Sequence, residues 1–91
     1  MYEIKALQRK NARRIGVDIK PSTRKGKKID VFKDGKKVAS VGAIGYGDYA
    51  TFIKEKGREF ADNRRRLYKI RHEKNRKKVG TNSYYADQIL W

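Results

Sequence analysis

The dipeptide Asp34-Gly35 is the feature that most restricts how this chain can fold. It separates two runs rich in strand-forming residues, 29–33 and 36–41. A two-residue Asp-Gly loop between such runs is typical of a β-hairpin with a type I′ turn, because glycine readily adopts the positive φ that this turn requires. The sequence therefore predicts an antiparallel hairpin over about 29–41.

The length of this loop also predicts the register of the hairpin. A two-residue loop places Val31 opposite Val38 and Phe32 opposite Lys37. In that register Ile29, Val31 and Val38 share one face. We expect that apolar face to be buried.

The residues after the hairpin favour helices. The segment from about 58 to 74 has no Pro or Gly, and an apolar stripe that includes Phe60 and Leu67 runs through its cationic residues. Ser83 is a suitable N-cap for a short helix over 84–91. The chain is therefore predicted to be α+β, with a small antiparallel sheet packed by a long basic helix and by a short C-terminal helix.

The N-terminal residues give a less specific pattern. Ile4 and Leu7 have helical spacing, whereas Tyr2, Ile4 and Ala6 alternate as they would in a strand. Residues 17–21 favour a short extended segment. We expect a single domain over 1–91, with a basic N-terminal segment (1–28) and a core of hairpin and helices (29–91).

The balance of charge indicates the class of partner. The chain has 25 Lys and Arg against 10 Asp and Glu, a net charge of +15. Residues 1–28 hold ten cations against two acids, and residues 58–91 hold ten against four. Such a surplus destabilises a compact monomer by self-repulsion, and it is typical of proteins that bind nucleic acid or sit beside acidic proteins.

Catalytic chemistry has little support in the sequence. Without cysteine there is no disulfide or thiolate zinc site, and His72, the sole histidine, cannot anchor a usual zinc site. A metal-dependent nuclease requires converging carboxylates. The carboxylates of this chain show no spacing typical of such a metal site; the candidates considered are Asp30, Asp34, Asp48, Glu59 and Asp62. We expect a protein that is not an enzyme and has no cofactor.

The candidate binding residues are cations of the basic helix and of the loop before the hairpin. Lysine and arginine contact phosphates as point charges or forked donors, and counterion release favours binding. The residues expected to do so are Arg64, Arg65, Arg66, Lys69, Arg71, Lys74, Arg76, Lys77, Lys78, Lys25, Lys27 and Lys28. Six to eight phosphate contacts predict a salt slope (log affinity against log salt concentration) of about −5 to −7. A solvated helix face, an acidic protein partner and, for 24–28, a nuclear-import signal remain alternatives.

Local geometry limits these assignments. Three adjacent arginines at 64–66 point in three directions on a helix, so at most two can contact one phosphate backbone. The glycines at 42, 45 and 47 have the spacing Gly-x-x-Gly-x-Gly, which is the reverse of the dinucleotide-binding fingerprint. Tight turns are therefore the favoured interpretation, with Asp48 capping or hydrogen-bonding the loop. The aromatic residues that could stack on unpaired bases are Tyr46, Tyr49, Tyr84, Tyr85 and Trp91. Tyr46 is the best candidate, although aromatic residues in small domains usually belong to the core.

Several spaced motifs resemble those of a known family. They are Pro-Ser-Thr-Arg-Lys-Gly-Lys-Lys at 21–28, Gly-Ala-x-Gly-Tyr-x-Asp-Tyr at 42–49, Arg-Arg-x-Tyr-x-x-Arg-His at 65–72 and the terminal Ile-Leu-Trp. In this order they are similar to a family of small basic proteins encoded by large nucleocytoplasmic DNA viruses. The resemblance covers roughly three quarters of the chain. It implies a viral setting and no particular chemistry.

These observations lead to two functional expectations. The first is sequence-nonspecific nucleic-acid binding, with DNA favoured, in the condensation or packaging of a viral genome. The second is a minor structural, capsid-associated protein of the virion that bridges acidic viral proteins, which is compatible with an oligomer. No apolar run is long enough for a membrane span, and no signal-peptide pattern is present. The expected location is the virion, or the nucleus or cytoplasm of the infected cell, without secretion.

Overall fold

The computed structural model describes residues 2–91 and confirms the α+β class. Four helices and three strands follow one another along the chain. They are α1 (Ala6–Arg14), β1 (Asp18–Pro21), β2 (Lys27–Lys33), β3 (Lys36–Ala43), α2 (Tyr49–Lys56), α3 (Arg58–Arg71) and α4 (Asn82–Leu90). The strands form one antiparallel sheet in the order β1-β2-β3.

The hairpin is confirmed, but its predicted register is only partly correct. Asp34 and Gly35 both have positive φ, 53° and 80°, as a type I′ turn requires. Phe32 pairs with Lys37 as predicted, but the next pair is Val31 with Ala39. Val38 is the extra residue of a β-bulge and is exposed, so its predicted burial beside Val31 is wrong.

Helices α1 and α4 cover the sheet. The helix α4 packs against β3 and α1, and α1 packs against β1. The apolar core that these elements enclose consists of Ala12, Val17, Ile19, Ile29, Val31, Ala39, Val41, Tyr85, Ile89 and Leu90. The basic helix α3 adds no residue to this cluster. Its predicted role in packing the sheet therefore belongs to α4 and α1, whose apolar residues are buried there.

The N-terminal segment contributes to this core. Residues 6–14 form a helix, not a strand, and Ala12 is almost fully buried. Val17 and Ile19 are also buried, because β1 pairs with β2 through Ile19 and Val31. Residues 1–28, which composition sets apart as a basic segment, thus supply both a helix and a strand to the body of the protein.

Helices α2 and α3 form a helical hairpin that meets the rest of the protein mainly through aromatic rings. The two helices join at Gly57 and pack against each other. The ring of Trp91 stacks on Tyr68 of α3 at 4.6 Å between centroids, and it lies 5.9 Å from Phe52 of α2. Trp91 therefore connects the helical hairpin to the end of α4.

Two helix boundaries differ from the predicted ones. Helix α3 ends at Arg71, and 72–77 continue as turns, so the predicted end at 74 is three residues too late. Helix α4 begins at Asn82 with Thr81, not Ser83, as the N-cap, because the Thr81 hydroxyl accepts the amide hydrogen of Tyr84. Among the helices of residues 2–91, none combines the length and apolar character that crossing a membrane requires.

Candidate nucleic-acid interface

A groove lies between α3, the start of β2, the end of β3 and the loop that leads into α2. Its volume is about 390 Å³. It is lined by Lys27, Lys28, Gly42, Ala43, Tyr46, Gly47, Phe52, Arg64, Leu67, Tyr68, Arg71, His72, Ala86, Leu90 and Trp91. No carboxylate is among these residues, so nothing in the lining offsets the charge of its lysines and arginines.

A second, shallower depression adjoins the groove, and we call it the loop depression. It is lined by Tyr2, Lys5, Ser22, Thr23, Arg24, Lys25, Gly26, Lys27, Lys28, Ile44, Gly45, Tyr46 and Thr51, again without a carboxylate. Lys27, Lys28 and Tyr46 line both sites. The groove and the loop depression therefore form one continuous cationic surface.

Apart from Lys5, whose ammonium group donates to the Tyr2 hydroxyl and to the carbonyl of Glu3, five cations of this surface form no ion pair within residues 2–91. They are Arg24, Lys25, Lys27, Arg64 and Arg71. Two come from α3 and three from the loop and first residue of β2, so the fold joins two basic segments that are far apart in sequence. Arg24 belongs to the loop but was not among the predicted phosphate ligands.

Lys28, by contrast, is withdrawn from the surface. Its ammonium group donates to the Asp48 carboxylate at 2.9 Å and to the carbonyl of Tyr46, and only 5% of its side chain is exposed. Lys28 is therefore less available for the predicted phosphate contact, because its ammonium group is paired with Asp48. The contact instead fixes the backbone of the loop that carries Tyr46.

Asp48 is the centre of this buried polar network. It caps α2 by accepting the amide hydrogen of Thr51, as the capping interpretation predicts, and it also accepts from the Tyr2 hydroxyl at 2.6 Å. Burial opposes ionisation of Asp48, but the donors from Tyr2, Thr51 and Lys28 outweigh it and lower its pKa. Burial and the adjacent Asp48 carboxylate raise the pKa of Tyr2 to about 12.

A different group of predicted residues surrounds a second buried carboxylate, Asp87 of α4. Lys69 donates to Asp87 at 2.6 Å, and Arg76 lies 3.7 Å from its other oxygen. This Asp87 pocket has a volume of about 330 Å³ and is lined by Asn11, Arg14, Arg65, Lys69, Arg76, Asp87, Gln88 and Trp91. Lys69 and Arg76 are thus bound within the chain and are less available to a partner.

The three adjacent arginines point in different directions, as helical geometry predicts. Arg64 lines the groove, and Arg65 lies over the ring of Tyr49 and lines the Asp87 pocket. Arg66 donates to the side chain of Asn63 on an exposed surface. Only Arg64 of the three reaches the carboxylate-free surface.

The remaining predicted cations lie beyond α3 and away from the groove. Lys77 pairs with Glu73 at 2.8 Å, and Glu73 also accepts from Arg76. Lys74 and Lys78 are exposed and form no ion pair within residues 2–91, but they line neither the groove nor the loop depression. They can add only peripheral contacts.

Aromatic residues form the interior of the groove, and of these only Trp91 is among the stacking candidates that the sequence offers. Tyr68 stacks on Trp91, and the ring of Phe52 lies beside them. Gly47 permits this arrangement, because a Cβ there would lie 2.1 Å from Cζ of Phe52. The available signal was the helical spacing of Phe60, Arg64, Leu67 and Arg71, which alternates apolar and cationic residues along one face.

Tyr46, the best stacking candidate in the sequence, is in a position where a base could reach its ring. Its side chain is 76% exposed, and it lies where the groove and the loop depression meet. Tyr49, another aromatic of the same loop region, is buried, and its hydroxyl donates to Asp62. Within residues 2–91, no three His, Asp or Glu side chains come together to hold a metal ion.

Comparison with known proteins adds a partial family match. Residues 17–56 are similar to the family described as Family of unknown function (DUF5754). This match includes the sheet and α2, together with Lys25, Lys27 and Tyr46, and it excludes α3. No curated protein matches the chain. No solved structure matches it either.

Proposed function

We propose that this protein is a non-catalytic nucleic-acid-binding protein that contacts the phosphate backbone with little sequence preference. The observation that supports the proposal is the continuous surface of groove and loop depression, whose lining contains no carboxylate. Phosphates are attracted to such a surface, and their binding releases condensed counterions. The resemblance to viral basic proteins favours the condensation or packaging of a viral genome as the setting.

The number of unpaired cations sets the expected salt dependence. Five cations on this surface form neither an ion pair nor a side-chain hydrogen bond within the described residues. If each contacts one phosphate, the salt slope for duplex DNA is about −4.5. This value is smaller in magnitude than the slope that the sequence alone predicts, because Lys28, Lys69 and Arg76 are bound to carboxylates.

Two matched quadruple variants test the proposal. The first replaces surface cations with alanine at Lys25, Lys27, Arg64 and Arg71. The control replaces two lysines and two arginines outside both sites, at Arg9, Lys33, Lys36 and Arg66, which are also exposed. Both variants lose four charges. Binding to a duplex is measured by fluorescence anisotropy over a range of salt concentrations, after thermal unfolding has shown that both variants are folded.

The expected result is a loss confined to the first variant. Its salt slope should become shallower by about 3 to 4, since about 0.9 is lost for each phosphate contact. The control should keep a slope close to that of the unmodified protein. Equal losses in the two variants would contradict this interface, and absence of binding to any nucleic acid would contradict the function itself.

A structural role in the virion is the second candidate. Ile70 is an exposed apolar residue in a depression that also contains Arg58, Arg65 and Arg66. Asp62 and Glu73 line it as well, so the depression combines an apolar side chain with charges of both signs, and arginine is enriched at protein interfaces. A protein that purifies free of nucleic acid, binds polyglutamate as well as DNA and sediments as a stable oligomer would favour this role.

A further inference from the structure

We propose that the groove holds one unpaired base of a single-stranded nucleic acid, while the cations of its rim contact the neighbouring phosphates. This inference rests on the proposed function and makes it more specific. It assigns the strand type that the interface prefers and the part of the ligand that enters the protein. Three features of the groove support it: its size, its interior and its rim.

The groove has the size and form of a site for a small planar group. Its volume of about 390 Å³ falls within the range of about 300–1,000 Å³ that ligand pockets occupy. It lies between separate elements, with α3 on one side and the end of the sheet on the other. A phosphate backbone needs only an exposed cationic face, so this enclosed volume is left unexplained by backbone contacts alone.

The interior of the groove is aromatic and aliphatic. Trp91 and Tyr68 are stacked nearly parallel, with 9° between their planes. Phe52 is tilted against Trp91, and the ring of His72 lies 4.3 Å from that of Tyr68, so these four rings form one aromatic cluster whose outer surface faces the groove. Leu67 contributes an exposed apolar edge from α3. Every base has two π-faces, and aromatic side chains bind unpaired bases through those faces without strong sequence preference.

The rim of the groove carries charge of one sign. Lys27 lies on the sheet side, and Arg64 and Arg71 lie one above the other on α3, seven residues apart. A base that enters the groove brings its own phosphates to this rim. The rim therefore complements the strand to which the base belongs, and it disfavours a cationic ligand.

A duplex does not satisfy both parts of the site. Its phosphates can reach the rim, but its bases are stacked and paired, and their faces are hidden unless a base is extruded at a cost. A single strand presents phosphates and base faces together. Tyr46 extends the surface from the groove toward Arg24 and Lys25, so a neighbouring base can stack there.

The experiment compares a single-stranded oligothymidylate with a duplex of the same length at the same salt concentration. Ala43→Phe places a ring in the groove without a change of charge, because Ala43 lines it. Val38→Phe is the matched control, since Val38 lies on the same strand and lines neither site. Trp91 is the only tryptophan, so its fluorescence reports on the groove directly.

We expect the unmodified protein to bind the single strand about tenfold more tightly than the duplex, with quenching of Trp91 by the single strand only. Ala43→Phe should abolish this preference, because the new ring occupies the space of the base, and Val38→Phe should leave the preference unchanged. Equal affinity for both strand types, or a preference that survives Ala43→Phe, overturns the inference and leaves the proposed function standing. Absence of binding to both oligonucleotides overturns the proposed function as well.

Discussion

The groove and the Asp87 pocket both receive cations from α3, but a carboxylate lines only one of them. Arg64 and Arg71 project to the groove, where no acidic side chain lines the surface. Lys69 of the same helix forms an ion pair of 2.6 Å with Asp87. The direction in which a residue leaves the helix decides whether its charge is available, so a count of lysines and arginines overestimates the surface that a polyanion can contact.

The two buried aspartates beneath these surfaces, Asp48 and Asp87, differ in how exposed their ion-pair partners are. Asp48 holds Lys28, and both side chains are almost completely buried, 0% and 5% exposed. Asp87 holds Lys69 and Arg76, which remain 24% and 19% exposed. The first pair is a structural link beneath the groove. The second neutralises charge that would otherwise face solvent.

The largest effect is expected from Asp48→Asn. This change leaves the ammonium group of Lys28 buried without a counterion, which typically costs about 3–5 kcal/mol of the free energy of unfolding. Urea unfolding followed by circular dichroism measures the loss. Lys28→Met combined with Asp48→Asn should recover part of it, because no unpaired charge then remains. A single variant as stable as the unmodified protein would contradict a buried ion pair at this position.

A smaller loss of stability, with a gain in binding, is expected from Asp87→Asn. The change weakens charge-assisted hydrogen bonds and should cost about 1.5–3 kcal/mol, since Lys69 and Arg76 can turn toward solvent. The released cations should strengthen binding to duplex DNA. Asp18→Asn is the control, because Asp18 is exposed and forms no ion pair within residues 2–91. Equal gains in the two variants would mean that net charge alone governs binding.

The smallest effect is the acid sensitivity of the Asp48 network. The pKa of Asp48 is lowered in the folded state, so its contribution to stability is complete above the ordinary value of 3.8 and is lost as the pH falls through the folded value. The difference in unfolding free energy between the unmodified protein and Asp48→Asn should therefore decrease below pH 3.8. Urea unfolding at a series of pH values measures this difference. A constant difference would show that the Asp48 carboxylate is not preferentially ionised in the folded protein.

Local signals were sufficient to predict the hairpin, α3 and the C-terminal helix, but they left α1 open between helix and strand and did not predict α2. The hairpin follows from the dihedral preferences of Asp34 and Gly35, and both have the positive φ that the turn demands. Helix α3 follows from fourteen residues without Pro or Gly. These two elements and the short C-terminal helix are sufficient to predict the α+β class.

The pairing of charges could not be predicted in the same way, because the partners are distant in sequence. Lys28 meets Asp48 across 20 residues, and Lys69 meets Asp87 across 18. Tyr2 reaches Asp48 across 46 residues. No local pattern distinguishes Lys27, which is partly exposed and forms no ion pair within the described residues, from Lys28, which is buried and paired with Asp48. The groove itself forms only when α2, α3, the sheet and Trp91 are packed together.

The bulge at Val38 has a consequence for the behaviour of the protein in concentrated solution. Strand β3 is an edge of the sheet, and its eight residues offer backbone groups to which a strand of another molecule could add. The bulge bends this edge, and the exposed Lys36 and Lys37 place like charges beside it. Together they oppose edge-to-edge stacking into fibrils, so the bent edge and its lysines keep copies of the chain from adding to one another.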